Sequence, residues 1–225
     1  MPLTSNKAPA RSYGGVTAAE RVAARRERLI DAALELYGTQ GFVATGVKDV
    51  CRAAGLTDRY FYESFANGEQ LFSAAFDRTA NDLLRAVAER VTQAPPEPAS
   101  QARAAIETFV RALADDPPKA RLLFVETASV GAAMERHVRT TVRQFASLIA
   151  ATARPHLQGA VPDVVLQMGA LSLVGAIALV LVEWLDGEVD GTIEEVIAYF
   201  VDVFLVAGSA QASSSKPGEG QLPVS

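Results

Sequence analysis

Apolar residues recur at helical spacing along most of this chain. The first predicted helix carries four of them on one face, at positions i, i+3, i+4 and i+7: Ile30, Ala33, Leu34 and Tyr37. Thr17 and Glu20 have the spacing of a capping box that begins this helix, and Gly38 and Gly41 end it. No segment shows the alternation and turn chemistry of a sheet. The pattern therefore predicts an all-α protein with about nine helices.

Residues 45–65 predict two short helices joined by a glycine turn. The inner face of the first of these helices carries Val47, Val50, Cys51 and Ala54. We expect Thr45 to cap this helix and Gly55 to adopt the left-handed conformation that closes it. Thr57 is then the cap of the next helix, which turns Phe61 and Phe65 inward. This is the layout of a helix-turn-helix DNA reader.

A long fourth helix is predicted to begin at the cap pair Asn67 and Gln70 and to run to about Val91. After a proline-rich break at 94–99, further helices are expected near 100–114, 119–130, 132–153, 163–186 and 193–207, the last with a capping box at Thr192 and Glu195. The predicted organisation is a flexible arm at 1–16, a DNA-binding domain at 17–66, a ligand-binding and dimerisation domain at 67–207, and a disordered tail at 208–225.

Charge is distributed unevenly along the chain. The net charge is -5, yet residues 1–62 hold 9 Lys and Arg against 6 Asp and Glu, and residues 63–225 hold 12 against 20. A basic N-terminal part followed by an acidic C-terminal part is typical of a protein that binds a polyanion at one end. The single cysteine, Cys51, excludes an internal disulfide and favours a reducing, cytoplasmic setting. Residues 1–16 have no apolar segment typical of a signal peptide.

The predicted DNA-binding residues lie on or beside the two short helices: Thr45, Lys48, Arg52, Thr57, Asp58, Arg59, Tyr60 and Tyr62. Arg59 can donate two hydrogen bonds to guanine O6 and N7 and so read sequence. Lys48 and Arg52, four residues apart, are expected on the phosphate backbone, as are the hydroxyls of the two threonines and two tyrosines. Asp58 can accept from cytosine N4 or simply favour the helix dipole. The alternative is a purely structural helical bundle with ordinary surface Arg and Tyr.

The stretch RLIDAALELYGTQGFVATGVKDVCRAAGLTDRYFYESFANGEQLF resembles the N-terminal domain of the TetR family of bacterial transcriptional regulators. The match runs from about Arg26 to Phe76 without a gap and includes the Ala-Ala-Gly turn at 53–55. The resemblance implies a three-helix DNA reader, a connecting fourth helix, and a C-terminal helical domain that binds ligand and forms a homodimer.

Residues 164–182 contain no charged side chain, which raises two alternatives. A membrane span is opposed by acidic residues at both ends and by the absence of a basic flank. A helix that is apolar all round can instead pack on its own subunit and on a partner. We expect a homodimer interface formed by the last two helices, with six named residues: Gly169, Ser172, Ala176, Val196, Phe200 and Phe204.

The middle helices are rich in large apolar residues that are either ordinary core or, as the resemblance implies, the lining of an effector cavity. The predicted ligand-binding residues are Phe109, Leu113, Phe124, Glu126, Met134, His137, Phe145, Gln167 and Met168, of which Glu126, His137 and Gln167 are the polar anchors. No metal site, cofactor or catalytic group is predicted. The sequence thus favours a ligand-responsive regulator, most simply a repressor released from its operator by a hydrophobic small molecule. An activator of the same architecture and a membrane-associated helical protein are the alternatives.

Overall fold

A computed structural model describes residues 17–157 and 161–214, and these residues form nine α-helices and two short 3-10 helices without a strand. The helices are α1 (Ala18–Gln40), α2 (Val47–Ala54), α3 (Asp58–Ser64), α4 (Gly68–Gln93), α5 (Pro98–Ala114), α6 (Pro117–Phe124), α7 (Ala132–Ala153), α8 (Asp163–Leu185) and α9 (Ile193–Ser214). The 3-10 helices are Glu126–Ser129 and Arg154–His156. The all-α prediction is confirmed.

The helix ends follow the capping chemistry in the sequence. The Thr17 hydroxyl accepts from the Glu20 N–H at 3.1 Å, and the Glu20 carboxylate accepts from the Thr17 N–H at 2.6 Å. Those bonds stabilise the carboxylate and lower the pKa of Glu20. The same reciprocal pair at Thr192 and Glu195 begins α9, and the Asn67 side chain accepts from the Gln70 N–H at 2.9 Å at the start of α4.

Two predicted boundaries are wrong. The segment expected as one helix at 119–130 is α6 followed by a separate 3-10 turn. Helix α9 continues to Ser214, so residues 208–214 are helical rather than part of a disordered tail. The predicted arm at 1–16 and the rest of the predicted tail, 215–225, lie outside the described residues.

Helix α4 joins the two halves of the molecule. Its 26 residues span about 39 Å at 1.5 Å per residue. Leu71, Phe72 and Phe76, near its start, are buried in the core of the N-terminal helices, while Val87 and Val91 are buried in the C-terminal body. The N-terminal helices therefore have no core of their own that is separate from α4.

The body packs around α5, which lies between α4 and α9, while α7 pairs with α8. Helix α1 reaches the body by packing along α6. At that contact a Cβ on Gly38 would come 2.4 Å from the Pro118 carbonyl oxygen, so only glycine permits this approach. The N-terminal helices are thus fixed to the body both through α4 and through α1.

Candidate functional site

The turn between α2 and α3 is built by a glycine and an arginine. Gly55 has φ 62° and ψ 39°, as predicted, and the Leu56 N–H donates to the Cys51 carbonyl at 2.8 Å, which satisfies the end of α2. The Arg28 guanidinium from α1 donates to the carbonyls of Ala54 and Gly55. A side chain at Gly55 would come 2.9 Å from Arg28 Nη2. Helix α1 therefore fixes where α3 begins.

The buried side of α2 and α3 anchors the reading helix. Phe61 and Phe65 pack into the core with ring centroids 5.9 Å apart. Cys51 is also buried, and burial, with the nearby Asp58 carboxylate as a second cause, raises the pKa of its thiol. The prediction that Cys51 is a core residue is confirmed. With its apolar side fixed in this way, α3 presents its other side to solvent.

The exposed side of these helices carries cationic and aromatic groups. The side chains of Arg59 and Arg52 are 84% and 79% exposed, and Lys48 and Tyr62 are exposed with them. Arg59 Nε lies 3.2 Å from the carboxylate of Glu63, one turn along α3, and Arg52 lies 3.1 Å from Asp49. Such exposed pairs are weak and exchange readily with other partners.

Two predicted DNA-binding residues differ from expectation. Thr45 is buried, and its hydroxyl donates to the Gly41 carbonyl at 2.7 Å rather than capping α2. The cap is Gly46, whose N–H donates to the Asp49 carboxylate at 3.1 Å. Sequence spacing could not separate these arrangements, because a threonine hydroxyl satisfies a preceding carbonyl as readily as a following N–H. Thr45 therefore offers no hydroxyl for a phosphate.

Tyr60 is half-buried because the Arg25 guanidinium lies 4.4 Å from its ring centroid. Arg25 also pairs with Glu63 at 3.6 Å, and it is a cation at the reading face that the sequence analysis missed. Thr57 occupies the cap position of α3, with Asp58 in the first turn, but its side chain makes no capping hydrogen bond.

Glu126, predicted as a ligand anchor, instead links the body to the loop between α1 and α2. Its side chain is 8% exposed. One carboxylate oxygen accepts from the Phe42 N–H at 2.8 Å and the other from Arg121 Nε at 2.9 Å. Gly41, with φ 91°, lets the carboxylate approach, since a Cβ there would come 3.1 Å from it. Phe42 begins the loop that leads to α2, so this contact bears directly on the position of the reading helices.

An apolar cavity of about 70 Å³ lies in the body between α4, α5, α7, α8 and α9. Of the predicted ligand residues, Phe109 and Phe145 line it, with ring centroids 5.6 Å apart. Phe204, predicted at the dimer interface, lines it as well. Residues missed include Val87, Val91, Ile106, Leu148, Leu173 and Ile177. They have the same spacing as ordinary core residues, so the pattern alone could not single them out.

The other predicted ligand residues lie elsewhere. Leu113 and Met134 are buried outside the cavity and Phe124 packs at the edge of the core, while Gln167 and Met168 are exposed on α8. His137 Nε2 lies 2.5 Å from Asp77 Oδ1 and ties α7 to α4. Of the three predicted polar anchors, Glu126 and His137 are therefore paired with other groups of the protein, and Gln167 faces solvent.

Helix α8 exposes an apolar stripe. Val164, Met168 and Leu179 are 62%, 63% and 64% exposed, and Ser172 and Ala176 are exposed beside them, with Gly169 half-buried. By contrast, the predicted interface residues Val196 and Phe200 are 7% and 0% exposed, because α9 turns that face toward α5 in its own subunit. Those two assignments are corrected: the residues belong to the core of the protomer.

By length and composition, α8 is also the one described helix that could cross a membrane, with a mean hydropathy of 2.4. A single helix of this kind is weak support for a span, since core and interface helices pass the same test. Among residues 17–157 and 161–214 no three His, Cys, Asp or Glu side chains are grouped so that they could hold a metal ion.

Comparison with known proteins gives a family match for the N-terminal helices. Residues 29–75 match the family described as bacterial regulatory proteins, tetR family. The fold is similar to the fatty acid degradation regulator FadR from Bacillus halodurans, with a TM-score of 0.71 at 14% identity over 80% of this chain and 94% of that one.

Two further solved structures contain ligands. FadR from Bacillus subtilis in complex with stearoyl-CoA aligns with a TM-score of 0.63 at 16% identity, over 83% of this chain and 97% of that one. AibR in complex with isovaleryl coenzyme A and operator DNA aligns with a TM-score of 0.62 at 17% identity, over 80% and 97%. At these identities the likeness extends to the fold, and it covers both the reading helices and the body.

Proposed function

We propose that this chain, whose N-terminal domain belongs to the tetR family of bacterial regulatory proteins, is a cytoplasmic transcriptional regulator that binds operator DNA as a homodimer and is released by a small apolar effector. The observation that carries the proposal is the exposed face of α3. Its Arg59 and Tyr62 are turned to solvent on a short helix whose start is fixed by Gly55 and Arg28. A helix held on one side and free on the other is what insertion into a major groove requires.

Arg59 is the proposed source of sequence information, through paired hydrogen bonds to guanine. The proposed phosphate contacts come from groups that lie around α3 rather than in the middle of its exposed face: Lys48, Arg52, Arg25 and the Thr57 hydroxyl. Asp58 is assigned to the helix dipole, since it occupies the first turn of α3. Tyr60, held under Arg25, contributes mainly by positioning that cation.

The apolar stripe of α8 is the proposed dimer interface. An exposed apolar surface of this kind on a helix is costly in water and is typical of an interaction site. A second copy supplies the same stripe, so a twofold axis beside α8 would bury both at once. Two reading helices would then face half-sites separated by about one turn of DNA, or a multiple of it. The operator is expected to be near-palindromic.

The cavity is the proposed effector site. AibR and the Bacillus subtilis FadR were solved with acyl-CoA ligands, and an apolar lining in the same body suits an acyl group here. An engineered cavity of about 150 Å³ holds benzene, whereas this one measures about 70 Å³. A ligand of any length must therefore push helices apart. Val87 and Val91 of α4 are in the wall, so α4 is the proposed lever on the reading helices.

Selection of bound fragments from random duplex DNA tests the proposal. The purified full-length protein should enrich a near-palindromic sequence at moderate salt, and the same protein with Arg59→Ala should enrich it poorly. Acyl-CoA thioesters and other apolar metabolites are then screened for release of that fragment. Enrichment of no sequence by the purified protein would refute a DNA-reading role. A protein that stays soluble only in detergent would favour the membrane alternative.

The direction of control is tested at the promoter. A repressor should lower transcription from a promoter that carries the selected sequence, and effector should restore it. Higher transcription with the protein bound would identify an activator instead.

A further inference from the structure

The outer side of α7 carries three arginines on consecutive turns of the helix. Arg136, Arg139 and Arg143 are exposed and are spaced at i, i+3 and i+7, so they form one cationic row. None of the three makes an ion pair or a side-chain hydrogen bond within the described part of the chain. Glu135 precedes Arg139 by four residues, yet the two side chains do not pair. The cationic row is therefore available to an anionic partner.

Several other arginines of the body are already paired with carboxylates. Arg111 Nε lies 3.0 Å from Glu107, and Arg121 Nε lies 2.9 Å from Glu126. Acidic residues are also in excess, because residues 63–225 hold 20 Asp and Glu against 12 Lys and Arg. Like charges at this spacing on one helix repel each other and destabilise it slightly. A partner with carboxylates at matching positions would remove that repulsion.

The cationic row lies on the side of α7 that faces α8. Ala146 and Ala150 of α7 are buried in a small apolar cluster with residues of α8. Arg139 and Arg143 come seven residues before these alanines, or about two turns, which places them on the same side of the helix. They are exposed rather than covered, so α7 and α8 diverge at their level. The two arginines therefore lie next to the uncovered surface of α8.

The apolar stripe of α8 ends in two carboxylates. Leu179, Glu183 and Asp186 are spaced at i, i+4 and i+7, so the acidic side chains continue the side of the helix that exposes Leu179. Both carboxylates are exposed, and neither forms an ion pair with another residue that the structure describes. The uncovered surface of α7 and α8 thus combines a cationic row, an apolar stripe and an acidic pair.

The cationic row and the acidic pair lie at the same end of the body. His137, beside the row, is 2.5 Å from Asp77 in the first half of α4, and Asp186 lines a groove with Gly38 and Pro118 where α1 meets α6. Two reading helices reach one duplex only if these ends of two copies lie side by side, about a twofold axis that runs through the body toward the DNA. The arginines of one copy and the carboxylates of the other are then at a similar distance from the DNA.

We infer that Arg139 and Arg143 of one copy bind Glu183 and Asp186 of the partner subunit, in two symmetry-related sets of ion pairs beside the apolar stripe of α8. This inference rests on the homodimer of the proposed function and identifies what selects its partner. The apolar stripe attracts any apolar surface, whereas the charge pattern is matched only by a chain that carries both patches. The partner is therefore a second copy of this chain in one orientation, and a helical protein without the two carboxylates is rejected.

Charge reversal with complementary mixing tests this inference on the full-length protein. Arg139→Glu with Arg143→Glu should weaken the homodimer about 10- to 100-fold, because the reversed groups repel the carboxylates of the second copy. Glu183→Lys with Asp186→Lys should weaken it to the same extent for the converse reason. An equimolar mixture of the two variants restores every attraction and should form a mixed dimer about as stable as the unmodified one. Sedimentation over a dilution series gives the affinities, and native mass spectrometry identifies the mixed dimer by its mass.

The matched control reverses two exposed arginines away from α8. Arg90→Glu with Arg103→Glu, on α4 and α5, makes the same change in net charge and should leave the homodimer unchanged. If a reversal variant fails to fold, Arg139→Gln with Arg143→Gln replaces it and should weaken the homodimer about three- to tenfold.

The outcomes separate this inference from the proposed function. A dimer that is indifferent to both reversals, or a mixture that restores nothing, would overturn the ion pairs and leave the apolar interface standing. An unmodified protein that is monomeric at every concentration would refute the proposed homodimer together with the ion pairs. Weaker binding to duplex DNA by the arginine variant, with its dimer mass and affinity unchanged, would assign the row to nucleic acid and overturn the inference.

Discussion

Helices α3 and α8 both turn a broad face to solvent, and the two faces have opposite chemistry. The outer face of α3 carries charge and hydroxyl groups, with Arg59 84% exposed on its side chain. The outer face of α8 carries aliphatic groups, with Leu179 64% exposed. Neither face is covered by the rest of the described chain.

The difference separates two kinds of partner. Attraction between cations and a polyanion is long-ranged and is weakened by salt. Burial of apolar surface is short-ranged and is not weakened in that way. We therefore expect high salt to release DNA from α3 while it leaves two copies joined through α8.

Leu179→Glu should produce the largest effect. A charge on the apolar stripe of α8 would be buried unpaired in the proposed dimer. The protein should become monomeric, and its operator affinity should fall by about 100-fold or more because the two reading helices no longer bind together. Light scattering gives the mass and a fluorescence titration the affinity. Val22→Glu, at an exposed apolar position on α1, is the control and should leave the mass unchanged. A dimeric Leu179→Glu protein would place the interface elsewhere.

Glu126→Ala should remove the contact that joins the α1–α2 loop to the body, and with it the fixed position of α3 relative to α8. Loss of the carboxylate leaves the Phe42 N–H without its partner, at an expected cost of about 1–3 kcal/mol in the free energy of unfolding. Urea denaturation measures this cost, and operator affinity should fall as well because the α1–α2 loop is released. Glu188→Ala, at an exposed position, should change neither quantity. Unchanged stability and affinity in Glu126→Ala would show that the contact carries no coupling.

Arg59→Ala and Arg52→Ala should separate base reading from phosphate binding on the charged face. Removal of Arg59 should cost about 1–3 kcal/mol on the cognate operator and relax its sequence preference. Removal of Arg52 should weaken all sequences alike and flatten the dependence of log K on log salt by about 0.9. Titrations at several salt concentrations with cognate and scrambled duplexes distinguish the two. An equal loss on every duplex for Arg59→Ala would contradict its base-reading role.

Glu63→Gln should have the smallest effect, and in the opposite direction. Glu63 pairs with both Arg59 and Arg25 at the reading face, so removing its charge frees both cations for DNA. Exposed pairs of this kind are worth less than about 1 kcal/mol, and operator binding should tighten by no more than about fivefold. Glu89→Gln on the distant part of α4 removes the same charge and should leave affinity unchanged. Weaker binding in Glu63→Gln would mean that Glu63 positions Arg59 for DNA.

Local chemistry made much of this fold predictable. A capping box requires only two residues three apart, so Thr17 with Glu20 and Thr192 with Glu195 could be identified from spacing. Gly55 was predictable from local chemistry as well, because the left-handed conformation that closes a short helix favours glycine.

The sequence did not predict which element, in the same subunit or in a second copy, covers a given side chain. The apolar face of α9 indicated burial, but not whether Phe200 would be covered by α5 of its own subunit or by a second copy. Glu126 looked like a free polar anchor, because its two partners come from other elements, the α1–α2 loop and α6. The cavity lining is indistinguishable from core in sequence, since both require apolar residues at helical spacing.

The passage of α4 through both halves has a practical consequence for protein engineering. Phe72 and Phe76 complete the interior of the first three helices, so a DNA-binding fragment cut at the natural-looking boundary near residue 66 would lose the rings that fill its centre. A chimera that transplants these helices onto another protein should instead carry the chain at least through Ala80, and should include the surface around Pro118 of α6 that contacts Gly38.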